Sequence, residues 1–339
     1  MNGLAYHLDP LRGLDGLTTA AQDLPEPGPN QVVIEVLAAS LNRRDLMLMD
    51  GDYPLPATPG IIPLAEGVGT VIAVGENVTR AEVGDRITAS YFVRWIDGPQ
   101  RLATVAEQYG ANFHGMLATY AVLEQDSVVH VPEHLTDVEA ATLTCAGVVA
   151  WAALTKPVPV APGDTVLTVG SGTVALFAVQ HAAMLGARVF SITSNPVKAE
   201  RLRKLGADEV IDRTETPDWD AAVQELTGGD GVEHVVDTVG LPTLSKSVRS
   251  GGYNAQITMI GAMPSSVVEP VGEVFGTQYV SIRRIAVGSR TDFEAMNRAI
   301  SEHRIRPVID RVFALDDSVQ AYRYFRDGDP FGKVVVRMS

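Results

Sequence analysis

The sequence predicts an α/β protein, a doubly wound parallel sheet joined to a second, mostly β domain. Three observations carry this reading. The first third of the 339 residues reads as short strands punctuated by Pro and Gly. The middle alternates strand and helix patterns at crossover spacing, and the tail returns to the texture of the beginning. A chain of this length exceeds what one hydrophobic core usually serves, so two domains are expected. They are a first segment over 1–130, a parallel-sheet domain over 131–287, and a tail over 288–339 that folds back onto the first segment.

The elements follow in order. Gln31 to Ala39 and Val68 to Val74 are β-rich runs, with Pro54, Pro56, Pro59, Gly60 and Pro63 punctuating between them. Gly84–Asp85–Arg86 reads as a turn feeding Ile87 to Ala89. Thr136, with Glu139 three residues on, has the form of a capping box and opens an Ala-rich helical run toward Trp151. Strands at Val166–Val169, Arg188–Ile192, Glu209–Ile211, His234–Asp237 and Ile257–Ile260 then alternate with helices. The helices are Val174–Leu185, closed by Gly186, Val197–Leu205, closed by Gly206, Asp218–Leu226 and Leu241–Arg249. Such spacing implies right-handed crossovers and a parallel sheet covered on both faces, with its ligand at the carboxyl ends of the strands. In the tail, Asp292–His303 and Asp317–Arg326 read as helices and Val334–Val336 as a last strand.

Composition narrows the partners. Apolar residues make up 46% and charged residues 20%, ordinary globular values. Forty-one acids against 27 bases leave a net charge of −14, which repels nucleic-acid phosphates and anionic lipid alike. The single Cys145 allows no intramolecular disulfide and no all-cysteine zinc cage. Met1 to Ala20 has no basic segment followed by an apolar core, and no stretch reaches the roughly 18 apolar residues needed to cross a bilayer. A soluble cytoplasmic protein acting on a small molecule is expected.

Gly170–Ser171–Gly172–Thr173–Val174–Ala175 fits G-x-G-x-x-A between a predicted strand and a predicted helix. The first glycine permits the tight turn, the second admits a pyrophosphate to the backbone, and the small sixth residue lets helix and strand pack closely. The helix N-terminus meets the negative charge. A dinucleotide is therefore the expected ligand. The next strand ends in Thr193–Ser194–Asn195 with Lys198 a helical turn on, and no Asp or Glu stands where an NAD site would bind the ribose 2′-hydroxyl. Thr193, Ser194 and Lys198, with Arg213 after the third strand, suit a 2′-phosphate instead, so NADPH is the expected cofactor. As plain surface bases, Lys198 and Arg213 would need no such role.

Several further segments together resemble the medium-chain dehydrogenase/reductase superfamily. They are Leu41–Asn42–Arg43–Arg44–Asp45, Gly51–Asp52–Tyr53–Pro54, Pro59–Gly60, Glu66–Gly67–Val68–Gly69, Val83–Gly84–Asp85–Arg86 and Phe331–Gly332–Lys333–Val334–Val335. Trp95–Ile96–Asp97–Gly98–Pro99 and Gly288–Ser289–Arg290 are similar to a zinc-free branch of alcohol dehydrogenases and quinone reductases. The resemblance implies a Rossmann domain, a GroES-like catalytic domain and a homodimer paired along the last Rossmann strand, around Ser281–Val287. It also implies that Lys333 lies near the cofactor. Zinc alcohol dehydrogenases of this family carry Cys in the first motif, a His-Glu pair in the second and Cys after the Ala-rich helix. Here those positions hold Asn42, Ala65 with Glu66, and Cys145. One Cys and one carboxylate fall short of the three ligands a catalytic zinc needs, so no metal is expected. Cys145 is then a small residue near the nicotinamide, with a reactive thiol as the alternative.

Without a Lewis acid, reducing an activated double bond is less demanding than oxidising an alcohol. Hydride transfer to an enone or quinone leaves an enolate that needs hydrogen-bond donors. Asn42 stands where quinone reductases carry a like residue, and Tyr53 is the candidate for orienting substrate or supplying a proton. Tyr91 and Trp95, beside Cys145, are expected to wall the substrate pocket. The reading is an NADPH-dependent, zinc-independent quinone or ene reductase. A zinc-free alcohol dehydrogenase or carbonyl reductase, and a non-catalytic NADPH-binding sensor or structural protein, remain open beside it.

Overall fold

The described residues, 3–261 and 279–338 of a computed structural model, fall into two units. One comprises Met1–Val148 with Gly288–Ser339, the other Val149–Val287. The first unit opens on a hairpin of β1 (Gly3–Leu8) and β2 (Leu17–Gln22). Then come β3 (Gln31–Ser40), α1 (Arg43–Asp50), β4 (Glu66–Val74) and β5 (Arg86–Ala89). A single helical turn α2 (Leu102–Val105), β6 (Tyr120–Glu124), β7 (Val128–His130) and the short α3 (Asp137–Ala140) complete this stretch.

The Ala-rich run after Thr136 is not the continuous helix its composition predicts. Thr136 does form the capping box with Glu139, but α3 stops after one turn and a π-type turn follows at Leu143–Gly147. The cause is competition for backbone groups. Thr142 Oγ1 donates to the Glu139 carbonyl, and the Cys145 N–H is drawn 2.8 Å from the Glu66 carboxylate. Thr144, bonded to the Ala89 carbonyl, ties this turn to the first unit. That attachment places the division at Val148/Val149, later than the 130/131 expected.

The second unit begins in α4 (Val148–Thr155) and continues as β8 (Thr165–Val169), α5 (Thr173–Met184), β9 (Arg188–Thr193), α6 (Pro196–Lys204) and β10 (Glu209–Asp212). After it come α7 (Trp219–Leu226), β11 (Val232–Asp237), α8 (Leu244–Ser250), β12 (Gly251–Met259) and β13 (Ser281–Arg284). All pairings are parallel, in the order β10-β9-β8-β11-β12-β13. The order reverses between β8 and β11, so the carboxyl end of β8 lies at a switch point. Leu167, Val169, Phe190, Ile192, Val235 and Ile257 form the core of this sheet. No helix among the described residues is long and apolar enough to cross a membrane.

The chain then returns to the first unit through α9 (Arg290–Glu302), β14 (Ile309–Ala314), α10 (Ser318–Asp327) and β15 (Lys333–Arg337). The resulting sheet runs β14-β15-β3-β4-β5-β7, with β6 also paired to β3. Because β3 is hydrogen-bonded to β15, β4 and β6, it is covered almost throughout and reads as the continuous run Val32–Val33–Ile34 rather than as alternation. Its last residue, Ser40, faces Glu66 of β4 and Val335 of β15 in register. Three strand ends therefore meet at one place.

One buried group in the second unit has a measurable consequence. His181 of α5 is fully buried against Trp151 and Phe177, and neither ring nitrogen has a hydrogen-bond partner. Burial lowers its pKa to about 3, well below the unfolded value of 6.5. The unfolded chain thus binds this proton first as pH falls, and stability declines from about pH 6.5 downward. Two pH units of that gap are worth about 3 kcal/mol. The change in urea-unfolding stability between pH 7 and pH 4.5 should therefore be more favourable in His181→Phe than in the wild type by about that amount.

Candidate active site

In the second unit the Gly-rich turn connects β8 to α5. Gly170 has φ +106, and a Cβ there would meet Thr238 Oγ1 at 2.5 Å, so glycine is required on both counts. Gly172 takes the N-cap position with no side-chain cap, and a Cβ built on it would meet nothing within 4 Å. An uncapped helix N-terminus beside open space suits a pyrophosphate. Thr173 and Val174 form the first turn of α5. The facing turn is held by Asp237 at the end of β11. Its buried carboxylate accepts from the N–H groups of Val239 and Gly240 and from the hydroxyls of Thr243 and Ser247.

Thr193 closes β9, buried, and its hydroxyl donates to Ser171 Oγ at 3.2 Å. Ser194 is exposed, Lys198 is half-buried in the first turn of α6, and Asn195 caps that helix through Val197 N–H. The exposed Arg213 lies next to this corner, its N–H donating to the Thr193 carbonyl. The structure therefore gathers Ser171, Thr193, Ser194 and Arg213 where the sequence places them. It adds Asp212, which pairs with Thr193 across β10 and β9 and was missed because it ends a different strand. Asp212 Oδ1 accepts from the N–H and hydroxyl of Thr214, which hold the carboxyl below its usual range.

In the first unit the three converging strand ends build a buried polar cluster. Glu66 Oε1 accepts from Ser40 Oγ and from the Lys333 ammonium, while Oε2 accepts from Cys145 N–H. Lys333 is 1% exposed and spends its other two donors on the Leu41 carbonyl, at 3.1 Å, and on Asn42 Oδ1, at 2.9 Å. Gly332, at φ +123 and tight against the Val308 carbonyl, lets the chain turn into β15 at this lysine. The resemblance places Lys333 near the cofactor; an ammonium has three donors, and here each finds an acceptor on Leu41, Asn42 or Glu66.

Asn42 is the N-cap of α1, and its N–H donates to Asp45 Oδ2 at 2.8 Å. An Asn with Asp three residues on is a helix-start signal that the sequence reading passed over. Because an ammonium only donates, Lys333 fixes the amide with its oxygen inward. Nδ2 is left buried and without a hydrogen-bond partner. Burial pushes the Asp45 carboxyl up to about 6, against the opposing pull of Arg44, whose Nη1 lies 3.7 Å away.

Arg44 carries the cluster on to two tyrosines. Its guanidinium lies 5.4 Å from the Tyr53 ring centroid and 4.8 Å from that of Tyr91, and Nη1 donates to the Tyr109 carbonyl. The Tyr53 and Tyr91 hydroxyls are 2.9 Å apart. Tyr53 donates to Gln108 Oε1 at 3.2 Å, so Tyr91 must donate to Tyr53. Tyr91 is buried, which pushes its phenol well above the usual range, whereas Tyr53 is half-buried. Trp95 does not join this group. It packs on Phe92 and its Nε1 donates to the Gly98 carbonyl.

The donor set does not fit a catalytic zinc. No group of three or more His, Cys, Asp or Glu side chains among the described residues could hold a metal ion. Both oxygens of Glu66 are taken, one by a fixed cation.

Comparison with known proteins matches residues 28–133 to the alcohol dehydrogenase GroES-like domain and 173–302 to the zinc-binding dehydrogenase family. A zinc-type alcohol dehydrogenase-like protein of Schizosaccharomyces pombe is 35% identical, over 98% of each chain. An acryloyl-coenzyme A reductase of Sulfurisphaera tokodaii is 29% identical, over 92% of this chain and 94% of its own. The crystal structure of a Sinorhizobium meliloti 1021 protein assigned as an alcohol dehydrogenase superposes with a TM-score of 0.90 at 32% identity, covering 100% of this chain and 99% of that one. The chain belongs to the medium-chain dehydrogenase/reductase superfamily, an oxidoreductase of the kind that works with a nicotinamide cofactor.

Proposed function

We propose that this protein is an NADPH-dependent, zinc-independent reductase that delivers hydride to an α,β-unsaturated carbonyl or a quinone. The observation that carries the reading is the Asn42 amide, a buried donor aimed by its neighbours and lacking an acceptor. A buried unpaired donor costs about 1–3 kcal/mol, a cost relieved when an oxygen arrives to accept from it. When bound, reduced nicotinamide supplies the hydride. Asn42 Nδ2 donates to the oxygen on which negative charge collects as the enolate or hydroquinone anion forms. Tyr53, the half-buried member of the phenol pair, supplies or relays the proton that completes the reduction, with Tyr91 donating to it from behind. The S. tokodaii reductase, named for a conjugated thioester, supports this substrate class.

The alcohol dehydrogenase names of other relatives favour a second reading, a zinc-free alcohol dehydrogenase or carbonyl reductase. That reaction needs a base near the alcohol, and Glu66 has no free oxygen to act as one. For the cofactor, Lys198 and Arg213 beside the acid-free end of β9 support NADPH, while Asp212 opposes it from the next strand. A homodimer is part of the proposal. Strand β13 is the edge of its sheet among the described residues, and an edge of this kind is ordinarily covered.

Purified protein should oxidise NADPH with a simple enone and with 1,4-benzoquinone, without added metal and undiminished by chelator. NADP⁺ reduction by primary and secondary alcohols should be much slower, and the reverse order would favour the second reading. Asn42→Ala should lower kcat about 10²–10³-fold. NADPH should be preferred over NADH in kcat/KM, and Lys198→Ala should narrow that preference roughly tenfold, the worth of one charge-assisted hydrogen bond. A covalent role for Cys145 is not part of the reading. Burial, reinforced by the Glu66 carboxylate, pushes its thiol up to about 12. Iodoacetamide at pH 8 should therefore label the native protein roughly 10³-fold more slowly than the unfolded chain, read by mass spectrometry.

A further inference from the structure

We infer that Lys333, clamped by Glu66, is a positioning residue that aims the Asn42 amide, and that it does not bind the dinucleotide. The inference rests on the reading of Asn42 given under Proposed function and extends it to the group that makes Asn42 competent.

The geometry is over-determined. Lys333 begins β15, its N–H donating to the Val308 carbonyl at 2.9 Å, and Leu41 N–H donates to the Val334 carbonyl at 3.0 Å. The strand thus places the ammonium beside residues 41 and 42. Its three protons go to the Leu41 carbonyl, Asn42 Oδ1 and Glu66 Oε1, which leaves none for a phosphate oxygen. Glu66 is held from two further directions, by Ser40 Oγ and by Cys145 N–H. A fixed carboxylate therefore fixes the ammonium, and the ammonium fixes which end of the amide is the donor. Turned over, Asn42 would set its NH₂ against a cation and present its carbonyl oxygen to the developing oxyanion, which repels it. Lys333 touches neither reactant in this scheme. Its effect passes through the orientation of one side chain, and misplacing such a group by about 1 Å can cost about 10²-fold in rate.

The test uses the full-length enzyme, with NADPH binding read by fluorescence titration and turnover read on a simple enone. Lys333→Met should lower kcat about 10²-fold while changing the NADPH Kd by no more than about twofold. Because Lys333→Met strands a buried carboxylate and can fail to fold, the neutral pair Glu66→Gln with Lys333→Met is made alongside, and the same split is expected of it. In the Asn42→Ala background, Lys333→Met should add less than about threefold, since the residue it aims is gone. Full additivity of the two losses, or near-wild-type kcat in the neutral pair, would overturn this inference alone. A tenfold or greater weakening of NADPH binding by Lys333→Met with kcat kept would overturn it in favour of a cofactor ligand. Wild-type turnover in Asn42→Ala would overturn the reading on which it rests.

Discussion

A carboxylate and an ammonium with no access to water organise the first unit of this molecule. Glu66 is 0% exposed and Lys333 1% exposed. Burying two charges costs several kcal/mol each, so such a pair needs further hydrogen bonds beside it. Here each carboxylate oxygen and each ammonium proton has a partner. Ser40, Cys145, Leu41 and Asn42 complete the two coordination spheres, and they come from β3, the π-type turn and the start of α1. Removing either partner would leave a bare buried charge at a cost of about 3–5 kcal/mol. The pair therefore ties β15, supplied by the last residues of the chain, to β3 and β4. It is also why the Ala-rich helix breaks where it does, because the Cys145 N–H is needed at Glu66 more than in a helix.

The second unit uses its polar residues differently. Asp237 is as buried as Glu66, yet it meets no cation and accepts instead from two backbone N–H groups and two hydroxyls. Those bonds oppose the upward push that burial gives its pKa, and they fold the chain after β11 into a tight turn. Thr238 of that turn donates to the Val169 carbonyl, beside Gly170. The glycine turn is thus shaped by a carboxylate from another strand. On the proposed reading, main chain frames the dinucleotide, and side-chain choice is left to the ends of β9 and β10.

Legibility in the sequence followed the range of the interactions. The parallel unit could be read because each strand and helix announces itself within about ten residues, through period, caps and closing glycines. Hence α5, α6 and α7 lie within a residue or two of their expected spans. The strands β6 and β7 went unread because they are short and gain their pairing from distant partners. Asn42 and Tyr53 were legible as residues of interest by resemblance, and Tyr91 as part of an aromatic loop. What joins them was not, since Lys333 meets Asn42 and Glu66 across separations of 291 and 267 positions. The direction of the Asn42 amide and the loss of Lys333 to the interior are properties of that long-range closure. Trp95 is a local case by contrast, its Nε1 donating to the Gly98 carbonyl within its own loop.

Glu66 is the residue that connects the two kinds of chemistry open to this fold. The resemblance to zinc alcohol dehydrogenases implies metal ligands beside this carboxylate position; here those positions hold Ala65, Asn42 and Cys145, of which two offer no anionic donor. A cation nevertheless remains at the carboxylate, in the form of a lysine that cannot exchange its partners for substrate. On the proposed reading, electrophilic work then passes to the amide that the lysine holds. An amide N–H is a far weaker electrophile than a metal ion, so it suits charge that is already delocalised, as on an enolate or a hydroquinone anion, better than the localised alkoxide of alcohol chemistry. On the proposed reading, that N–H meets the substrate oxygen on binding and holds it more strongly as negative charge collects there. The part of the interaction gained with the charge raises kcat rather than merely lowering KM.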